Sequence, residues 1–254
     1  MCRRRWAHMN EANVFFEYWN DTGTISIVTD SSIPPFSITF DFHGPFRLGR
    51  PSDRPDFLFD LNGKIIVFEH FQFDSSKSNN KGSTLQKEMA RMDKSFDLLP
   101  MKAKEQIQFR NVNSKRSLKD FERNLMKSLV EHSTKVEPYL QNTKHLVGDE
   151  KPLEMALFIQ NKSLMEDVVY NGNKQELVTP FRLKTFIDFL CGHQDINHVF
   201  YGCEGNNGRK RLAYFFNSSQ TISELRQQPY IDDSYDFFDA QIFEMRADIF
   251  ISEK

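Results

Sequence analysis

The sequence predicts an α/β fold in which a mixed central β-sheet is flanked by helices. Several short segments alternate apolar and polar residues, or form compact apolar runs, as strands do. Other segments repeat apolar residues every three or four positions, which is typical of helices that pack one face on a core. Because the order is helix, strands, hairpin, helices, strand, helix and strands, we expect helices on the faces of one sheet.

The composition is that of a single domain over residues 1–254, with no repeat and no evident linker. Hydrophobic residues make up 39% of the chain and charged residues 27%, an ordinary balance for a folded domain. The 25 phenylalanines indicate that the core is aromatic.

Charge and cysteine content restrict the compartment and the partners. The formal net charge of −2 gives no sign of a polyanion partner, although a local basic groove remains compatible with it. The three cysteines are too few for a disulfide framework and favour a reducing compartment. No apolar run is long enough to span a bilayer. We therefore expect a soluble, cytoplasmic protein without a membrane partner.

The first half of the chain is expected to supply the hairpin and the elements around it. Ser83 and Gln86 form a capping box, and the apolar stripe of the helix that follows continues to Phe96. The predicted elements are helix 9–19, strands 24–28 and 36–42, hairpin 56–73, polar loop 74–82 and the helix from residue 83.

The second half alternates helices and strands. Ser117 and Asp120 predict the start of an amphipathic helix, and Thr179-Pro180 predicts the start of another that ends at Gly192. The other predicted elements are a surface connection over 141–152, a buried strand at 153–159, and strands at 198–203 and 211–216.

The hairpin is the most informative segment, because its turn sets two acidic residues side by side. Asn62-Gly63 lies between two apolar runs and favours a two-residue turn, since both residues tolerate a positive φ. A turn of these two residues alone brings Asp56 opposite Glu69. Opposed like charges repel, so we expect a divalent cation between them. His70 alternates to the other face of the sheet, and its ring is expected to pack there.

Pro55-Asp56, a short hairpin and then Glu69 on the second strand resemble the PD-(D/E)xK nuclease superfamily, which has the restriction-endonuclease-like fold. The resemblance implies a nuclease-like core at about residues 9–160 with a C-terminal α/β elaboration at 161–254. It also implies that Asp56 and Glu69 are catalytic ligands of Mg²⁺ or Mn²⁺, with the backbone carbonyl of His70 as a third ligand.

The chain departs from the family at the acid-x-Lys triplet, which here reads Glu69-His70-Phe71. Members of the superfamily can supply this lysine from a neighbouring strand or from the following helix, and here Lys81 and Lys87 are favoured equally. The further residues that the resemblance suggests are Lys77 as another lysine, Gln86 on the substrate side, and Glu11 or Glu17 as an additional acid.

The function implied by the resemblance is metal-dependent hydrolysis of a phosphodiester, with DNA favoured and RNA left open. Such proteins often serve in phages, phage defence or mobile elements, and many act as homodimers or with a partner protein. One alternative is a catalytically silent nuclease-fold module that binds a partner protein or nucleic acid, which the missing lysine at position 71 favours. Another is a regulatory or structural α/β protein whose paired acids are coincidental.

Overall fold

The protein has a mixed α/β fold, which confirms the predicted class and the predicted mixed central sheet with helices packed against it. None of the described helices is both long and apolar enough to cross a membrane. The computed structural model describes residues 14–15, 17–18, 26–27, 55–61, 63–75, 90–91, 94, 108–114, 117–163, 167–204, 210–237 and 240–246.

In the described part of the chain the central sheet has six strands, and the strands at 64–73, 153–161 and 196–204 within it are parallel to one another. The outer strands pair antiparallel with this parallel core, except for a two-residue edge strand that runs parallel to its neighbour. Across the sheet the strands are β1 (Ser26–Ile27), β9 (Lys210–Phe216), β8 (Ile196–Glu204), β5 (Leu153–Asn161), β3 (Lys64–Phe73) and β2 (Phe57–Leu61).

Two smaller sheets accompany the central one among the described residues, and none of their strands is predicted from the sequence. The three-stranded sheet has the order β10 (Asp236–Phe237), β6 (Val168–Asn171) and β7 (Lys174–Leu177). The two-stranded sheet pairs β4 (Gln108–Ser114) with β11 (Ala240–Arg246) in antiparallel register.

The longest described helix begins where the sequence predicts it. Ser117 caps the helix, because its side chain accepts a hydrogen bond of 3.1 Å from the backbone N–H of Asp120. Residues 14–15, 17–18, 90–91 and 94 are also helical, within the predicted helices 9–19 and from residue 83. The longer helices are α1 (Leu118–Ser133), α2 (Val136–Val147), α3 (Lys184–Gly192) and α4 (Ser219–Gln227).

The core has one part on each face of the central sheet. On one face, α1 packs its buried stripe on β3, as in the edge-to-face contact of Phe121 with Phe73 at 5.4 Å between ring centroids. On the other face, Phe15 packs edge-to-face on Phe158 and Phe200 at 5.2 and 5.1 Å. The core is thus aromatic, as the composition predicts.

Two predicted boundaries are wrong. The surface connection predicted over 141–152 is helical as far as Val147, because Val136, Tyr139 and Thr143 form a buried stripe at helical spacing. The helix predicted from Pro180 is a single 3₁₀ turn (Pro180–Arg182), and α3 begins at Lys184. The strands predicted at 153–159, 198–203 and 211–216 are confirmed with slightly wider bounds.

Other predictions lie wholly or partly outside the described residues. The strand predicted at 36–42 lies outside them, as does the predicted polar loop from residue 76 onward.

Candidate active site

The hairpin has the register that the sequence predicts. Gly63 adopts a φ of +84°, which glycine tolerates at no steric cost. The Cα pairs run from Leu61 opposite Lys64 to Phe57 opposite Phe68, which is the register of a two-residue turn. The turn prediction is therefore confirmed along the whole described ladder.

Asp56 lies one residue before β2 and bonds the neighbouring strand through its carboxylate. Its backbone N–H donates to the carbonyl oxygen of Phe68 at 2.9 Å. Its Oδ2 accepts a hydrogen bond of 2.6 Å from the backbone N–H of His70. The side chain of Asp56 is thus held against β3, at the residue that follows Glu69.

Glu69 is buried between the sheet and the helices, with 2% of its surface exposed. Its Oε1 accepts hydrogen bonds from Nδ1 of His132 at 2.5 Å and from Nζ of Lys135 at 3.0 Å. Its Oε2 is buried and has no hydrogen-bond partner within the described part of the chain. One oxygen of this carboxylate therefore contacts both His132 and Lys135, and the other has no donor among the described residues.

His132 and Lys135 come from the end of α1 and the connection to α2. The His132 ring stacks on Phe71, with 4.7 Å between centroids and 19° between planes. The backbone N–H of Lys135 donates to the carbonyl of His132 at 3.1 Å, which holds the two side chains beside each other. Neither His132 nor Lys135 is predicted as a site residue from the sequence.

One signal for His132 was present in the sequence. The buried stripe of α1 runs through Phe121, Leu125 and Leu129, and His132 is the next position on that stripe. A polar residue at a position that faces the core requires a polar partner, because burial without a hydrogen bond is costly. Only the tertiary structure identifies that partner as Glu69.

The pKa of Glu69 reflects two opposed effects. Burial raises the pKa of this carboxyl group, whereas the hydrogen bonds and positive charge of His132 and Lys135 lower it. The net pKa lies below the ordinary value of a glutamate. Glu69 is therefore an anion at neutral pH, as a metal ligand must be.

His70 presents its side chain to the opposite face of the sheet, as predicted. Its ring stacks on Phe158 at 4.8 Å, and its Nε2 lies 3.1 Å from Oε1 of Gln160. The imidazole thus packs in the aromatic core and faces away from Glu69. The ring itself is therefore not a ligand of the expected cation. The backbone N–H of His70 is the group that contacts Asp56.

Of the other predicted site residues, only Glu17 lies within the described part of the chain. Glu17 is exposed and forms an ion pair with Lys210 on β9, so nothing places it beside Glu69. The predicted residues that lie outside the described part of the chain are Lys77, Lys81, Gln86, Lys87 and Glu11.

A second Glu-His-Lys cluster lies near the start of β5. Oε1 of Glu154 accepts a hydrogen bond from Lys64 at 2.5 Å, and Oε2 lies 2.9 Å from Nε2 of His198. The other ring nitrogen of His198 lies 2.8 Å from the hydroxyl of Tyr214. Each carboxylate oxygen of Glu154 thus has one partner.

The donor set at Glu69 fits a divalent cation that keeps most of its water. In the described ranges, no group of three or more His, Cys, Asp or Glu side chains is placed to hold a metal ion. Mg²⁺ does not require such a group, because it binds through one or two carboxylates together with water and substrate phosphate. Oε2 of Glu69, a buried oxygen without a donor among the described residues, matches that requirement, and Asp56 lies just before the adjoining strand β2.

Comparison with known proteins finds no family model, no curated protein and no solved structure that is significantly similar to this chain. The function is therefore inferred from the geometry of the site.

Proposed function

We propose that the chain is a metal-dependent nuclease of the PD-(D/E)xK type, with a restriction-endonuclease-like core, that hydrolyses phosphodiesters in DNA. Asp56 and Glu69 hold Mg²⁺ or Mn²⁺, and Lys135 replaces the lysine that is absent at position 71. The observation that carries the proposal is the 3.0 Å contact between Nζ of Lys135 and the buried carboxylate of Glu69. The acidic residue and the lysine of the motif would thus come from different parts of the chain.

The position of Lys135 suits a group that must reach a substrate. The side chain of Lys135 is 39% exposed, whereas that of Glu69 is 2% exposed. The ammonium group therefore lies at the boundary between the buried carboxylate and solvent. A phosphate arriving from solvent meets this positive charge, which opposes the negative charge that develops on the phosphoryl oxygens.

Hydrolysis adds the oxygen of water to phosphorus and releases one bridging oxygen as a hydroxyl group. A bound Mg²⁺ lowers the pKa of the attacking water and neutralises charge on the phosphate. The residues of the chain have simpler tasks. Glu69 and Asp56 supply negative oxygens to the cation, and Lys135 orients the phosphate or the water beside Glu69.

The proposal is tested by cleavage of plasmid, linear duplex and single-stranded DNA in Mg²⁺, in Mn²⁺ and in EDTA. We expect cleavage with either metal and none in EDTA. Lys135→Met removes the ammonium group and keeps the chain length, and we expect it to lower the rate about 100-fold, since a single charge-stabilising group in a preorganised site is typically worth that much.

Lys144→Met is the matched control. Lys144 lies on α2, its side chain is 62% exposed, and it pairs only with the exposed Asp149 among the described residues. This control is expected to cleave at the wild-type rate. Absence of metal-dependent cleavage by folded wild-type protein on all three substrates would refute the nuclease.

A catalytically silent nuclease-fold module is the second candidate, and one observation favours it. Oε1 of Glu69 already contacts His132 and the ammonium group of Lys135, so its charge is compensated in part without a metal. A silent module would bind nucleic acid or a partner protein equally well in EDTA and in Mg²⁺. It would also show no cleavage and no dependence of binding on Asp56→Asn.

A further inference from the structure

We infer that His132 is a positioning residue for the metal ligand: it binds Oε1 of Glu69 and so directs Oε2 to the cation. This inference rests on the metal site that the proposed function assigns to Glu69. His132 lies outside the hairpin that carries Asp56 and Glu69, and its role can be measured without any nuclease activity.

The first argument is the uneven hydrogen bonding of the Glu69 carboxylate. His132 and Lys135 both bond Oε1, at 2.5 and 3.0 Å. Oε2 is equally buried and has no donor within the described ranges. A buried anionic oxygen without a donor is costly to maintain. The arrangement is explained when a positive ligand occupies the place that a donor would otherwise take.

The second argument is that the structure fixes the orientation of the imidazole. The ring of His132 stacks on Phe71, two residues after Glu69 on the same face of β3. Phe71 occupies the position where the nuclease motif carries lysine. An aromatic residue there forms the platform for the histidine that orients the acid, so the departure from the motif has a structural role.

The third argument is that the contact between His132 and Glu69 is direct. Nδ1 of His132 lies 2.5 Å from Oε1 of Glu69, so an imidazole N–H at this atom donates to the carboxylate. Such outer partners hold a ligating oxygen in one orientation, and their loss typically weakens metal binding by about 10–100-fold. His132 thus acts on the cation through Glu69 without contacting it.

The test measures Mn²⁺ affinity by titration calorimetry or electron paramagnetic resonance, with no nucleic acid present. His132→Phe keeps an aromatic ring against Phe71 and removes the donor, so we expect a dissociation constant about 10–100-fold higher. His132→Asn places an amide N–H near the position of Nδ1, and we expect it to recover most of the affinity. His145→Phe changes an exposed histidine of α2 and should leave the affinity unchanged.

A histidine with only a structural role gives a different result. His132→Phe would then lower the unfolding temperature and leave the Mn²⁺ dissociation constant at the wild-type value, which overturns the inference. Equal affinities for His132→Phe and His132→Asn also overturn it. If His132→Phe does not fold, His132→Leu serves as the variant without a donor.

The outcome also separates this inference from the proposed nuclease. Wild-type protein that binds Mn²⁺ through His132 and Glu69 but cleaves no DNA would refute the nuclease and support the inference. Wild-type protein that cleaves DNA, with unchanged Mn²⁺ affinity in His132→Phe, would support the nuclease and refute the inference. Failure of the wild-type protein to bind Mn²⁺ refutes both.

Discussion

Glu69 and Glu154 lie on adjacent parallel strands, and each contacts one histidine and one lysine, yet their carboxylates are used differently. At Glu154, Lys64 bonds one oxygen and His198 lies beside the other. At Glu69, the histidine and the lysine both contact the same oxygen. The side chain of Glu154 is 19% exposed, whereas that of Glu69 is 2% exposed, so Glu69 is the more completely buried of the two acids.

The residue types of a cluster alone do not distinguish a structural ion cluster from a ligand site. Both clusters contain the same three residue types, and both acids have a pKa below the ordinary value. The distinguishing feature is how many donors each oxygen receives. Both oxygens of Glu154 have a partner, whereas Glu69 has one buried oxygen without a donor among the described residues, which we propose binds a cation.

The largest expected difference is in catalysis. Glu69→Gln removes the charge of the proposed ligand and is expected to lower DNA cleavage by at least about 100-fold, as loss of one preorganised charged group typically does. Glu154→Gln is the matched change in the other cluster and is expected to leave cleavage near the wild-type rate. Equal losses in the two variants would break the distinction between the clusters.

A smaller difference is expected in stabilisation by metal. At an Mn²⁺ concentration about 100 times the dissociation constant, binding stabilises the folded state by about 2.7 kcal/mol, because the unfolded chain lacks the site. For a chain of this length that corresponds to a rise of ~5–10 °C in the unfolding temperature. Wild type and Glu154→Gln should show this rise in a thermal scan, and Glu69→Gln should not. A rise in Glu69→Gln would place the metal elsewhere.

The smallest expected effect concerns pH and the Glu154 cluster. Burial lowers the pKa of His198 below its ordinary value of 6.5, although the carboxylate of Glu154 opposes this shift. The unfolded chain therefore takes up a proton at a pH where the folded chain does not. Stability from this group is present above about pH 6.5 and is lost as the pH falls toward the folded pKa.

His198→Asn tests that assignment. The variant lacks the titrating imidazole, so its unfolding temperature should decline less than that of the wild type between about pH 7 and pH 5. Parallel declines would show that His198 does not contribute to the pH dependence. Cleavage by this variant at a fixed neutral pH is expected to remain normal, since the cluster lies apart from Glu69.

The sequence predicts much of the central sheet because its strands carry strong local signals. Gly63, with its positive φ, fixes the hairpin register, and the apolar run at 153–159 identifies β5. The helix from Ser117 is predicted by its cap. These features depend on a few neighbouring residues, so they are visible without the tertiary structure.

The other helices and strands either lack a strong local sequence pattern or carry one that suggests a different structure. The polar residues of 141–144 suggest a loop, but α2 is stabilised by the burial of Val136, Tyr139 and Thr143, which is a tertiary effect. The short strands β6 and β7 are only half buried, and their alternation is weak.

Some residues of the candidate site can likewise be identified from local sequence, and others cannot. Glu69 is identified from the hairpin, because its partner strand is adjacent in sequence. His132 and Lys135 are 63 and 66 residues away, and no local pattern connects them to β3. The lysine expected at Lys81 or Lys87 stays a prediction, because both lie outside the described residues; Lys135, from a later part of the chain, is the lysine that contacts Glu69 among the described residues.

The central claim is that Oε2 of Glu69 is kept for a divalent cation, and a crystal structure with Mn²⁺ tests it most directly. Anomalous scattering identifies the metal without reference to any activity. We expect a peak about 2.1 Å from Oε2 of Glu69, the distance at which small divalent cations bind carboxylate oxygens. A crystal grown in saturating Mn²⁺ with no peak there, or with Oε2 hydrogen-bonded to a protein donor, would contradict the account.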